Sequence, residues 1–318
     1  MIFRTPPEIR IPRGLISLKQ LAELKTYLCY GPPPLPIRGI FAGNASVSNI
    51  IQYITIQTTG NSTDFGDLTV ARRAMSGFAD SVRGVFAGGS DASWFYVDTI
   101  DYVTIQILGN AVDFGDVTSS KDNMAGCADA TRGVCAGGGN SLDRSNVIQY
   151  VTIQINSNTT DFGDLLSAIT GSSACADATR GVFGGGKTTA SDINIIQYIT
   201  IQTTGSSTDF GDLLSAISAS SACADATRGI FGGGSPVINV MQYVTIQTTG
   251  NSADFGDLSA QKDHIGACAD ATRGVFAGGV NGGNYFNVIE YVTIQTTGNS
   301  SDFGDLVITA GPMAACAG

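Results

Sequence analysis

From residue 37 onward, apolar residues fall in short runs rather than at helical spacing. Arg38-Gly-Ile-Phe-Ala is followed by Ile50-Ile-Gln-Tyr-Ile-Thr-Ile-Gln and then by Asp64-Phe-Gly-Asp-Leu. Clusters of Gly, Ser, Thr and Asn separate the runs, and these residues favour turns. Runs rich in Val, Ile, Thr, Tyr and Phe, bounded in this way, predict β-strands. The pattern recurs. Arg-Gly-Val/Ile-Phe/Cys begins at Arg38, Arg83, Arg132, Arg180, Arg228 and Arg273, in steps of 45–49 residues. Tyr-Val/Ile-Thr-Ile-Gln begins at Tyr53, Tyr102, Tyr150, Tyr198, Tyr243 and Tyr291. Asp-Phe-Gly-Asp begins at Asp64, Asp113, Asp161, Asp209, Asp254 and Asp302. A fixed period of this length, filled with strands and Gly-rich turns, is the signature of a β-propeller.

Residues 37–318 therefore predict an all-β, six-bladed propeller of four-stranded blades. In the second repeat the strands are expected at about 76–80, 84–88, 100–106 and 112–117. Ala, Ser, Cys and Gly in the first strands of the repeats suit the innermost position where blades converge. The chain enters its first repeat at a second strand, Arg38-Gly-Ile-Phe, and stops at Met313-Ala-Ala-Cys-Ala-Gly, an inner strand with no successor. That predicts closure of the ring by the C-terminal strand, one strand plus three.

Residues 1–36 read differently. Ser17-Leu-Lys-Gln fits a capping box, and Leu18, Leu21, Leu24 and Leu28 follow at roughly helical spacing. A short helix over about 17–29 is expected, ended by Gly31-Pro-Pro-Pro. With Arg4, Arg10 and Arg13 ahead of it, this segment reads as a basic anchoring arm, or as a helix covering one end of the propeller. It carries a net +3, which leaves −13 on the remainder of a chain whose total is −10. So acidic a body disfavours non-specific nucleic-acid binding.

No run approaches the roughly 18 apolar residues of a membrane span, and Met1-Ile-Phe-Arg-Thr-Pro-Pro lacks an apolar signal core. Synthesis in a reducing cytoplasm is expected. Seven cysteines, five of them at equivalent repeat positions (Cys127, Cys175, Cys223, Cys268, Cys316), suggest buried thiols rather than a disulfide framework.

Several motifs resemble chemistry without its context. Gly181-Val-Phe-Gly-Gly-Gly-Lys-Thr matches a phosphate loop, but a strand rather than a helix is expected after it. Asp-Phe-Gly-Asp occurs six times with no kinase catalytic loop. Its Phe is expected to pack between blades and its aspartates to bond turn amides. Asp129 and Arg132, with Asp80/Arg83, Asp177/Arg180, Asp225/Arg228 and Asp270/Arg273, span the first turn of a blade and suggest an ion pair or a turn hydrogen bond. His264 is the single histidine. No catalytic residue, metal or cofactor is assigned, and a non-enzymatic protein is expected.

The loops after second strands and the connectors between repeats vary, whereas the other turns are nearly copied. In a four-stranded blade the two variable sets share a face. Trp94, Phe95, Tyr96, Arg144, Lys187, Tyr285 and Phe286 fall there and are the candidate ligand or partner contacts, with Arg72, Arg73, Lys121 and Lys262 around them.

Second strands ending in Gly-Gly, an aromatic third strand and a charged fourth resemble a kelch-type propeller over residues 37–318. The tryptophan usual late in each kelch repeat is missing, and Asp-Phe-Gly-Asp stands in its region. The wording Tyr-Val-Thr-Ile-Gln-Thr-Thr-Gly-Asn-Ser-x-Asp-Phe-Gly-Asp-Leu is similar to kelch-like repeat proteins of tailed bacteriophages, notably those of marine and freshwater bacteria. The resemblance implies a structural or adhesive virion protein in the tail, fibre, neck or capsid decoration. It would be present in multiple copies and would meet another virion protein or a host surface glycan. A free lectin-like propeller is the alternative.

Overall fold

The structure, a computed structural model, describes residues 35–44, 46–139 and 143–318. The expected helix and the arm residues Arg4, Arg10, Arg13, Leu21, Leu24 and Leu28 lie outside the described residues. From Ile37 the chain forms six four-stranded antiparallel sheets, one per blade, and no helix occurs among the described residues. In the second blade the strands are Ser76–Ala79, Arg83–Ala87, Thr99–Thr104 and Val112–Asp116, from the inside outward. The third blade has longer strands, and the sixth adds a small hairpin, Val280–Asn281 with Asn284–Tyr285.

The inner strands pack against one another in a circle. Ser76–Ala79 meets Asp122–Ala128, and Ser173–Ala176, Ser221–Ala224, Gly266–Ala269 and Ala314–Ala317 follow in turn, the last packing on the first. Ala314–Ala317 also pairs antiparallel with Arg38–Ala42, from Gly39 opposite Ala317 to Ala42 opposite Ala314. The first blade thus draws its strands from both ends of the repeat region.

The repeated motifs explain themselves at the seams between blades. The Gly of each Arg-Gly pair lies under a side chain of the preceding blade. A Cβ built on Gly181 would stand 2.8 Å from Cys127 Sγ, and one on Gly229 would stand 2.5 Å from Cys175 Sγ. Cys316, Cys223 and Cys268 face Gly84, Gly274 and Gly39 in the same way, and Phe78 does so toward Gly133. The six cysteines of the described residues are buried and unpaired. Burial pushes the Cys175 and Cys316 thiols up to about 12, so they serve as packing groups.

Farther out, Phe65 and its five counterparts meet the tyrosine of their own blade edge-on, at 5.9–6.1 Å between ring centres. Their other edge completes hydrophobic clusters that span two blades. The glycine of Asp-Phe-Gly-Asp touches the turn of the next blade: a Cβ on Gly66, at φ 149°, would lie 2.3 Å from the Gly109 carbonyl oxygen. The second aspartate serves this seam through its backbone rather than its carboxylate, which corrects the expectation. Asp67 N–H donates to Asn110 Oδ1 at 3.1 Å, and Asp67 C=O accepts from Ala111 N–H at 2.7 Å.

Gly181→Ala should therefore destabilise the propeller by about 1–3 kcal/mol, the usual cost of overpacking. Adding Cys127→Ala should remove most of that cost, because the small side chain makes room. Urea unfolding of the two single variants and the double variant measures the coupling. Additive losses would refute the contact.

Candidate ligand-binding face

Each blade sends its first and third turns to one face. The loops after second strands and the inter-blade connectors go to the other. Backbone bridges tie connector to loop there: Arg73 with Ser90, Thr170 with Lys187, Ser218 with Ser235, and Asp263 with Val280.

The copied face is occupied by structural bonds. Asp129 Oδ1 accepts from Thr131 N–H at 2.7 Å and Arg132 N–H at 2.8 Å, and its Oδ2 accepts from Gln202 of the next blade at 2.6 Å. Asp80, Asp177, Asp225 and Asp270 repeat this arrangement with Gln154, Gln247, Gln295 and Gln57. At the sixth position the Gly318 backbone oxygen accepts from Arg38 N–H at 3.0 Å and from Gln106 at 3.4 Å.

Of the two sequence readings of Asp and Arg, the turn hydrogen bond is the one that forms. The arginine side chains go elsewhere. Arg132 lies 4.1 Å over the Tyr150 ring and donates to the Ile201 carbonyl of the next blade at 2.9 Å. All six seams carry this bond, the last from Arg273 to Ile56. Burial works against the charged carboxyls of Asp129, Asp177 and Asp225. The glutamine amide and the turn N–H groups outweigh it and hold all three below the ordinary value.

On the variable face, two of the expected surface cations are buried. Arg72 bonds Asp101 at 2.9 Å, both side chains being fully buried. Lys262 pairs with Glu290 in the sixth blade, equally out of solvent. The acids stand where the other blades carry Gln52, Gln149, Gln197 and Gln242. This third-strand position takes a backbone N–H from the preceding blade at every seam, as Gln242 does from Leu214 at 2.7 Å. Where the glutamine is kept in blades four and five, the connector position of Arg72 and Lys262 holds buried Ile169 or Ile217. Burial raises the Glu290 carboxyl, but Lys262, Ser300 and the Ser259 amide together bring it below its ordinary value.

The channel mouth on this face is a chain of backbone bonds. Asn123, Gly171, Ala219 and His264 each donate N–H to the counterpart one blade earlier, at 2.7–3.0 Å. Ala74, Asn123, Ala219 and His264 adopt positive φ of 51–55° to do so. His264 is one link of this chain, with Nδ1 3.0 Å from Asp263.

Of the candidate contacts, Trp94, Phe95, Tyr285 and Lys187 are exposed, while Tyr96, Arg144 and Phe286 are half-buried. Lys187 lies 3.9 Å from Asp192, and a tight turn follows it in place of the helix that a phosphate loop requires. Trp94 and Tyr285 are not brought together: they lie on the two blades that flank the first. The structure does join Trp94 to Arg73, whose guanidinium sits 3.3 Å from the indole centre. Lys262 lies 5.9 Å from the Phe286 ring. Among the described residues, no group of three or more His, Cys, Asp or Glu side chains is placed to hold a metal ion. Among the described residues, no helix is long and apolar enough to cross a membrane. No family model matches the chain, and no curated protein matches it.

Two outcomes follow. Lys262→Ile alone leaves Glu290 buried without its cation and should cost about 3–5 kcal/mol. Combined with Glu290→Gln it reproduces the Ile217–Gln242 arrangement, and denaturant unfolding should show near wild-type stability. The second concerns pH. Asp177 titrates below its ordinary value in the fold, so its stabilising contribution is complete above about pH 4 and fades as pH falls through the lower folded value. Wild type and Asp177→Asn should differ in urea midpoint at about pH 7 and converge below about pH 4. A constant gap would contradict this.

Proposed function

We propose that this chain is a non-enzymatic structural and adhesive component of a phage particle. It is made in the host cytoplasm, anchored through residues 1–36, and turns its variable face toward another virion protein or a host surface glycan. The observation that carries the reading is the division between the faces. Copied residues on one face are consumed in joining blades, while the other presents different side chains from each blade on the same rigid frame. The kelch-like wording of the repeats and its similarity to phage repeat proteins supply the particle. In this reading, pairing of the first and last repeat strands is the lock that lets the disc act as one unit in multiple copies.

A lectin-like propeller working free of any particle is the second reading, favoured by the exposed Trp94 and Phe95. Deleting residues 1–36 separates the two. A particle component should lose incorporation, read by mass spectrometry of purified virions, while the isolated propeller keeps its fold and its ligand. Wild-type incorporation of the deletion variant would rule out the anchoring arm.

A further inference from the structure

The loop between the second and third strands of blade two spends conformational energy on exposure. Trp94 adopts φ 63°, a left-handed conformation that a bulky side chain rarely takes. The loop enforces it. Asp91 Oδ1 accepts from Ser93 N–H at 2.8 Å and Phe95 N–H at 2.9 Å, and Trp94 N–H donates to the Asp91 carbonyl at 3.1 Å. Ser90, at the base, bridges both Arg73 and Tyr96. The result is not burial: Trp94 remains 64% exposed and Phe95 70%. Folding alone gives no reason to hold two aromatic rings in water on a strained backbone.

The indole is also braced by a cation. The Arg73 guanidinium covers one ring face at 3.3 Å, and the Arg73 backbone is fixed by paired bonds of 3.0 Å with Ser90. With Trp94 64% exposed, much of the ring is presented to solvent as a flat π surface. A ring held in place before binding loses little rotamer freedom on contact. Among the described residues, no donor meets the second carboxylate oxygen of Asp91, which leaves an acceptor in the loop that carries the ring.

We propose that this loop is a saccharide platform. The C–H face of a neutral pyranose stacks on the exposed surface of Trp94, flanked by Phe95, and a sugar hydroxyl donates to Asp91. Aromatic faces are electron-rich and attract the weakly positive C–H edges of a sugar ring. A peptide anchor would call for a pocket, whereas the indole offers an open plane. The chain outside residues 1–36 carries −13, which selects against sialylated, sulfated or phosphorylated glycans. This deepens the proposal that the variable face binds, and it rests on that proposal.

Trp94 is the single tryptophan of the chain, so its fluorescence reports on the platform alone. Full-length protein is titrated with methyl glycosides of glucose, galactose, mannose and N-acetylglucosamine and with their neutral oligomers, alongside an array of neutral and acidic glycans. The expected result is a saturable fluorescence change with a neutral sugar and array binding that falls at least tenfold in Trp94→Ala and in Asp91→Ala. Trp94→Phe should retain part of it, and the melting temperature of Trp94→Ala should match wild type. A silent array with no fluorescence change overturns the proposal, as does preference for acidic glycans or undiminished binding by Trp94→Ala. If Trp94→Ala virions lose host attachment while the array stays silent, the partner is a protein. The platform then falls and the adhesive reading stands. Absence of the chain from particles would remove the adhesive reading while leaving the sugar result intact.

Discussion

Adhesion between neighbouring blades is the interaction on which everything else rests. A single four-stranded sheet has two faces to cover and cannot cover either alone. Here each face is covered by contact at graded radii. A thiol sits over a glycine near the axis, arginine and glutamine cross the seam at mid-blade, and a turn docks on the outer strand. The set is present at all six seams, with Gly318 standing in for the aspartate at one and Phe78 for the thiol at another. The axis therefore needs few large side chains, and apart from Phe78 and Met124 the inner strands are built mainly from Ala, Ser, Gly and Cys.

Much of this was legible in the chain. The period of the Arg-Gly, Tyr-x-Thr-Ile-Gln and Asp-Phe-Gly-Asp motifs gave the number of blades and the position of each strand, because each motif marks one strand of a repeat. Small inner residues and buried thiols were readable from composition. What the aspartates do was less so. A carboxylate three residues before an arginine suggests a pair, yet the backbone N–H groups lie closer and the arginine is drawn to an aromatic ring and a carbonyl across the seam. The fate of Arg72 and Lys262 was also hidden at first glance, since a cation in a connector ordinarily faces water. The signal was present elsewhere, in Asp101 and Glu290 standing where other repeats carry glutamine. A buried acid demands a buried base. Nothing in the sequence announced that Arg73 would lie under Trp94, because that contact depends on the strained path of one loop.

These exceptions also bear on how six similar repeats find their order. Near-identical units can pair with the wrong neighbour, a recurrent failure of repeat proteins. Blades two and six carry a buried acid whose charge is balanced by the cation of its own connector, and these two blades flank the one assembled from both ends of the repeat region. An incorrect neighbour would bury a lone charge. Individual chemistry in the repeats thus serves assembly at buried positions and, on the proposed reading, recognition at exposed ones, and the Arg72-Arg73 pair divides between the two.

The circle of inner strands has a mechanical corollary. A blade in an open stack can peel away by losing one boundary, whereas a blade in this hoop must give up two at once. Tension applied at one loop tip, such as that of the second blade, is split clockwise and anticlockwise through the arginine and glutamine crossties. The disc is thereby suited to bearing traction from a tethered surface without sacrificing the sheet that is being pulled.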